Sequence, residues 1–215
     1  DYQLIDTEEK RTKIIQKLLT SKILSLDTET TGTEPMDAEL VGMSFSIAEN
    51  EAFYVPVPAD QEEALKIVNE FRPVFENENS LKVGQNIKYD MIVLQNYGVQ
   101  VKGPLFDTMI AHYVLQPELR HGMDYLAEIY LRYQTIHIDE LIGPKGKNQK
   151  NMRDLAPKDV YRYACEDADV TLKLKNVLEK ELKENDAERL FYDIEMPLVP
   201  VLVNIERNGV LLDTE

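Results

Sequence analysis

Asp27 and Glu29 stand two positions apart at the end of the apolar run Ile23-Leu24-Ser25-Leu26, which breaks at Gly32. Such a stretch predicts a short buried strand ending in a turn. Alternate residues of a strand share a face, so both carboxylates project the same way. Two unit charges about 4 Å apart repel by about 4 kcal/mol at an effective dielectric of about 20, so a fold that keeps both ionised needs a cation between them. An isolated Asp-x-Glu reads more simply as a turn cap beside a solvated acid. The pair gains chemical meaning only where further carboxylates converge on it.

Two further groups qualify. Tyr163 and Asp167 are four apart in a helical pattern and lie one above the other on one face. Asp90 falls near the start of its own helix, just after the strand end Leu81-Lys82-Val83-Gly84-Gln85. Four carboxylates from separate strand and helix ends, with a phenol one turn from one of them, are what phosphodiester hydrolysis by two metal ions requires. Hard oxygen donors suit Mg²⁺ or Mn²⁺. With an ordinary pKa of about 10, Tyr163 is a poor base at neutral pH, so it is assigned to orienting the attacking water. Each residue alone has a plainer explanation. Asp90 can answer a helix dipole, Asp167 can join Glu166 and Asp169 on a solvated acidic face, and Tyr163 can be core. Asp107 reads as a helix cap, His112 as packed in an apolar helix, and His137 as lacking an evident partner.

The elements that must position these groups alternate. Tyr2 to Ile5 reads as a short strand and Thr7 starts a helix with Ile14, Ile15, Leu18 and Leu19 inward. After the Asp27 strand, Leu40 to Ala48 and Ala52 to Val57 suggest a hairpin across Glu49-Asn50-Glu51. Helices are expected over Asp60 to Phe75, Lys88 to Tyr97, Thr108 to Leu115, Met123 to Tyr133, Pro157 to Asn185 and Asp186 to Asn208, the last bent by Pro197 and Pro200. Strands alternating with helices imply an α/β sheet with functional residues at strand ends.

The 215 residues carry a net charge of −15 and one cysteine, Cys165. The acidity argues against a surface that grips long duplex DNA, unless metal ions meet the phosphate. With no membrane-length apolar run and no leader, a soluble, cytoplasmic protein is expected. A lone cysteine fits a reducing compartment. Charge reverses only over 141–153, where Lys145, Lys147, Lys150 and Arg153 occur without an acid. An ordinary mobile loop and a strand-guiding patch are equally good readings of it. Val210-Leu211-Leu212 finds nothing to pack into, so the chain reads as part of a longer one.

Asp27-Thr28-Glu29-Thr30, Asn86-Ile87-Lys88-Tyr89-Asp90 and Tyr163-Ala164-Cys165-Glu166-Asp167-Ala168-Asp169-Val170-Thr171 resemble, in order, the three motifs of the proofreading exonuclease domain of bacterial DNA polymerase I, a family A polymerase. The similarity extends through Val41-Gly42, Phe106-Asp107-Thr108-Met109 and the lysine loop to Ile194–Val210. The resemblance implies a ribonuclease-H-like α/β fold, with a mixed central sheet of about five strands, one antiparallel, flanked by helices. It implies an exonuclease domain over 1–190 and a helical lead-in over 191–215 to a polymerase domain of the same chain. Asp27, Glu29, Asp167 and Asp90 would hold two divalent ions, Mg²⁺ with Mn²⁺ or Zn²⁺ able to substitute, and Tyr163 would contact the attacking water. Contacts to a single-stranded DNA 3′ end would fall on Thr30, Gln85, Asn86, Tyr89, Arg120 and Ile138. The family's two apolar wedges appear here as Thr33 and Ile138, which puts the first in question at a site where base stacking is worth about 1–3 kcal/mol. A monomer is expected. The competing readings are an RNA-trimming exonuclease of the same motif class, a non-catalytic scaffold bracing a polymerase, and a phosphodiesterase of small nucleotides.

Overall fold

A computed structural model describes residues 1–212. The first strand, β1 (Tyr2–Leu4), leads into α1 (Glu8–Leu19), capped by the Thr7 hydroxyl, which accepts from the Lys10 N–H. Three strands follow, β2 (Ile23–Thr30), β3 (Leu40–Ala48) and β4 (Glu51–Pro56), then helices α2 (Gln61–Glu70) and α3 (Arg72–Phe75). Next come β5 (Leu81–Gly84), α4 (Ile87–Asn96), β6 (Leu105–Asp107) and α5 (Thr108–Leu115). The remainder is helical: α6 (Met123–Leu126), α7 (Ile138–Ile142), α8 (Pro157–Glu184), α9 (Glu188–Leu190) and α10 (Met196–Asn208).

The sheet is mixed and has six strands in the order β1-β4-β3-β2-β5-β6, in keeping with the about five that the resemblance implies. The strand expected over Tyr2 to Ile5 is β1, whose three residues pair parallel with Ala52–Tyr54 of β4 at the sheet edge. All neighbours are parallel except at β3, which runs against both β2 and β4 and is the single reversed strand. This is the ribonuclease-H-like arrangement.

Three expected helices are interrupted. The run over Asp60 to Phe75 divides at Phe71, whose ring stacks on Phe45 of β3 at 5.4 Å while Pro73 occupies the first turn of α3. The helix from Met123 widens into a π turn over Ala127–Leu131 and stops at Arg132, in the left-handed region. A second π turn over Phe191–Glu195 ends where Pro197 withdraws an N–H donor.

One face of the sheet is covered by α8, which lies across β3, β2 and β4 and buries Ala164, Ala168, Val170 and Leu174. The small Ala164 and Ala168 let its backbone approach the strands. Two buried acids on this helix are structural rather than solvated. Glu166 accepts from the Ile136 N–H at 2.6 Å and from the Tyr133 hydroxyl, and Asp169 accepts from the Tyr2 hydroxyl at 2.8 Å and the Asn50 N–H at 2.7 Å. Phe191 packs on Phe106 of β6 at 4.8 Å, and α10 turns Met196, Val199 and Val203 inward toward α4 and β6. Its outer side continues an exposed apolar stripe through Leu190, Ile194, Leu198, Val201 and Ile205. No helix among the described residues is long and apolar enough to cross a membrane.

Candidate active site

β2 delivers Asp27 and Glu29 from one face at its end, as strand alternation requires. Glu29 lies opposite Gly42 of β3, and the register shifts immediately afterwards, between Glu29 and Thr30. Gly42 is needed there: a Cβ would sit 2.3 Å from the buried Tyr54 ring of β4. From the covering helix, Asp167 meets the pair. One oxygen each of Asp27, Glu29 and Asp167 lie within 4.8 Å of one another.

Asp90, the fourth predicted acid, stands outside this tight group. One of its oxygens accepts from the Thr28 N–H at 3.0 Å and the Thr28 hydroxyl at 2.6 Å. Its position at the first turn of α4 follows from Asn86, which adopts a left-handed conformation (φ 60°) and turns the chain from β5 into the helix. Asp107 holds that junction, accepting from the Ile87 N–H at 2.7 Å and the Ile110 N–H at 3.0 Å. The expected cap thus serves α4 as well as α5.

Burial holds the Asp27 carboxyl up to about 6. Burial also raises Glu29, Asp90 and Asp167 well above the carboxylate range, reinforced by Asp27 in all three, by Asp90 at Glu29 and by Glu29 at Asp167. Four acids that resist ionising together are what a divalent cation relieves. The fit can be read at one atom: Oε1 of Glu29 is buried and has no hydrogen-bond donor. A buried carboxylate oxygen left that way is costly unless a cation meets it. The donor set, all carboxylate oxygen, suits Mg²⁺ or Mn²⁺.

Tyr163, half-buried one turn before Asp167, has its phenol pushed up by burial and then by the charges of Asp167, Glu29 and Asp27. It stays protonated and can only donate or accept a hydrogen bond. Among the other predicted residues, the Thr30 hydroxyl, the Tyr89 phenol and the Gly32 carbonyl form a closed triangle at the end of β2. The Gln85 amide is already engaged, donating to the His121 carbonyl at 2.7 Å and accepting from Thr108. Arg120 is exposed and lines one groove with Asp124, Tyr133 and His137. Ile138, at the first residue of α7, is 41% exposed, and Thr33 is exposed in the turn after β2. His112 is packed as expected, its Nδ1 2.7 Å from that of His121. His137 does have a partner, Asp124 at 3.2 Å. Arg153 leaves the basic patch expected for 141–153, because its guanidinium donates to the Val57 and Leu40 carbonyls at 2.5 and 2.7 Å. Sequence reasoning missed Thr28 as the support of Asp90. Its position between the two acids of the first motif was the available signal.

A family described as 3′-5′ exonuclease matches residues 2–183. DNA polymerase I of Pseudomonas aeruginosa is 39% identical over 99% of this chain and 24% of its own length. That of Borreliella burgdorferi is 35% identical over 100% and 23%. The chain therefore spans about a quarter of these relatives. Among solved structures, Brucella melitensis NrnC superposes with a TM-score of 0.74 at 17% identity, covering 99% of this chain and 97% of its own. Escherichia coli RNase D, an exoribonuclease involved in structured RNA processing, gives 0.73 at 17%, covering 98% and 52%. The POL domain of Pol1 from M. smegmatis gives 0.75 at 18%, covering 98% and 33%. At these identities the structures share the fold.

Proposed function

The chain belongs to the 3′-5′ exonuclease family of DNA polymerase A, and on that premise we propose that it is a proofreading exonuclease releasing deoxynucleoside 5′-monophosphates from single-stranded 3′ ends. The observation that carries this reading is the meeting of Asp27, Glu29 and Asp167 within 4.8 Å around the unpartnered Oε1 of Glu29. Two divalent ions held by these three acids and Asp90 would supply a water activated at neutral pH and charge neutralisation at the leaving oxygen.

The chain's own groups do the rest. Tyr163, kept protonated by its acidic surroundings, orients the attacking water through its phenol. Thr28 fixes Asp90. The Thr30–Tyr89–Gly32 triangle holds the rim over which the terminal nucleotide lies, and Gln85, Asn86, Arg120 and Ile138 flank its path. Glu29 and Asp167 are only 6% and 5% exposed, so the terminal phosphodiester has to be delivered into a recess that a paired end cannot enter. This supports the preference for single strands.

The exposed stripe from Leu190 to Ile205 is where we infer that the polymerase domain of the same polypeptide packs, since the matched relatives are about four times longer than the chain. The test is direct: a 3′-labelled single strand, incubated with the protein and Mg²⁺, yields labelled monophosphate, and EDTA abolishes it. Matched DNA and RNA oligomers run in parallel establish the sugar preference. Equal cleavage of the two, or faster cleavage of RNA, would replace the DNA reading by RNA trimming.

A further inference from the structure

The molecule as a whole carries a net charge of −15, yet residues 143–150 hold three lysines and no acid. Lys145, Lys147 and Lys150 are all exposed, and among the described residues none of them takes part in an ion pair. The loop is closed on itself. The Lys150 N–H donates to the Ile142 carbonyl at 2.8 Å and the Gln149 amide donates to the Gly143 carbonyl at 3.1 Å.

Its feet stand on both flanks of the acid cluster. On one side Asn151 donates through Nδ2 to the Thr31 carbonyl at 2.6 Å, one residue beyond the strand that carries Asp27 and Glu29. On the other, Leu141 and Ile142 join Tyr163 and Leu155 against the buried cluster around Tyr54. Three uncompensated cations are thereby tethered at the rim of a site whose own charges are all negative.

We propose that this loop holds backbone phosphates of the single strand on the 5′ side of the scissile phosphodiester; the inference rests on reading the site as an exonuclease centre. A polyanion approaching buried carboxylates is repelled unless cations meet it, and bound metal ions act only on the phosphate being cleaved. The lysines act on the phosphates that follow it. Each phosphate contact on a single strand contributes about −0.7 to the slope of log affinity against log salt. Three contacts contribute about −2, or roughly a 20-fold loss between about 50 and 200 mM salt.

The experiment compares the protein with its Lys145→Ala, Lys147→Ala, Lys150→Ala triple variant and the corresponding triple arginine variant. Two substrates are used, a thymidine decamer and the p-nitrophenyl ester of thymidine 5′-phosphate, which has one phosphodiester and no upstream strand. The alanine variant should lose at least ~10-fold more kcat/KM on the decamer than on the ester, with the salt slope on the decamer shallower by about 2. The arginine variant should restore both. Equal losses on the two substrates, or an unchanged salt slope, would overturn the proposal. If the protein hydrolyses neither substrate, the exonuclease reading fails. Fluorescence anisotropy of a labelled decamer in EDTA then judges the loop separately, and equal binding by protein and alanine variant rejects it.

Discussion

Thr28 donates both its backbone N–H and its hydroxyl to the same oxygen of Asp90, at 3.0 and 2.6 Å. The residue between the two first-motif acids points to the opposite face of β2 from them and ties the fourth acid to the strand. Thr28→Val keeps the backbone bond and the shape but removes the hydroxyl. Loss of such a supporting bond typically costs about 10–100-fold in activity or metal affinity. Mg²⁺ titrations of hydrolysis should therefore show a raised half-saturation, and Thr28→Ser should restore it.

The converging acids and the phenol should separate in kinetics. Asp27→Ala and Asp167→Ala each remove a group aimed at the reacting centre and should lower kcat by ~10³-fold. Tyr163→Phe removes only an orienting hydrogen bond and should cost about 10–100-fold. Circular dichroism must show all three folded. A Tyr163→Phe loss as deep as that of Asp27→Ala would mean that the phenol does more than position.

The pH dependence of stability carries the sign of the raised carboxyls. Asp27 moves from 3.8 to about 6, and burial raises Glu29, Asp90 and Asp167 in the same direction. A carboxyl raised in the folded state contributes stability that is complete below about pH 4 and lost as pH climbs through the folded value. In EDTA the melting temperature should thus fall between about pH 4 and pH 6. Added Mg²⁺ should raise it more at pH 8 than at pH 5, because ions bind the deprotonated acids. Asp27→Asn should flatten the EDTA profile. A Mg²⁺ shift of equal size at both pH values would count against the cluster as the ion's seat.

Gly42 tests the packing behind Glu29. Its missing Cβ leaves room for the Tyr54 ring, which would otherwise lie 2.3 Å away and is itself only 1% exposed. Gly42→Ala forces Tyr54 to move in a packed interior, an overpacking cost of about 1–3 kcal/mol. At about 2–4 °C per kcal/mol for a chain of this size, the melting temperature should drop by several degrees. Because Gly42 pairs with Glu29 across the strands, kcat should fall as well. A variant of wild-type stability would show that Tyr54 relocates freely.

Much of this was legible from local pattern. Period two placed Asp27 and Glu29 together, and the four-residue spacing of Tyr163 and Asp167 placed them on one helical face. What escaped depends on partners far along the chain. Glu166 and Asp169 look like solvated acids until Tyr133, Ile136, Tyr2 and Asn50 close over them. Arg153 looks like a member of the lysine patch until the Leu40 and Val57 carbonyls engage it. The break at Phe71 had a local sign in Pro73, which has no N–H to carry the helical ladder across and is suited to the first turn of a new helix. The aromatic stack on Phe45 that fixes the break has none.

The acids of the site arise from β2, α4 and α8, and α8 follows every strand of the sheet in the chain. A growing polypeptide that has already completed all six strands still lacks Asp167. Assembly of the site is therefore a late event in synthesis: until the long helix docks, Asp27, Glu29 and Asp90 lack the acid that completes the group. Hydrolysis by such a chain would report that α8 has docked on the finished sheet.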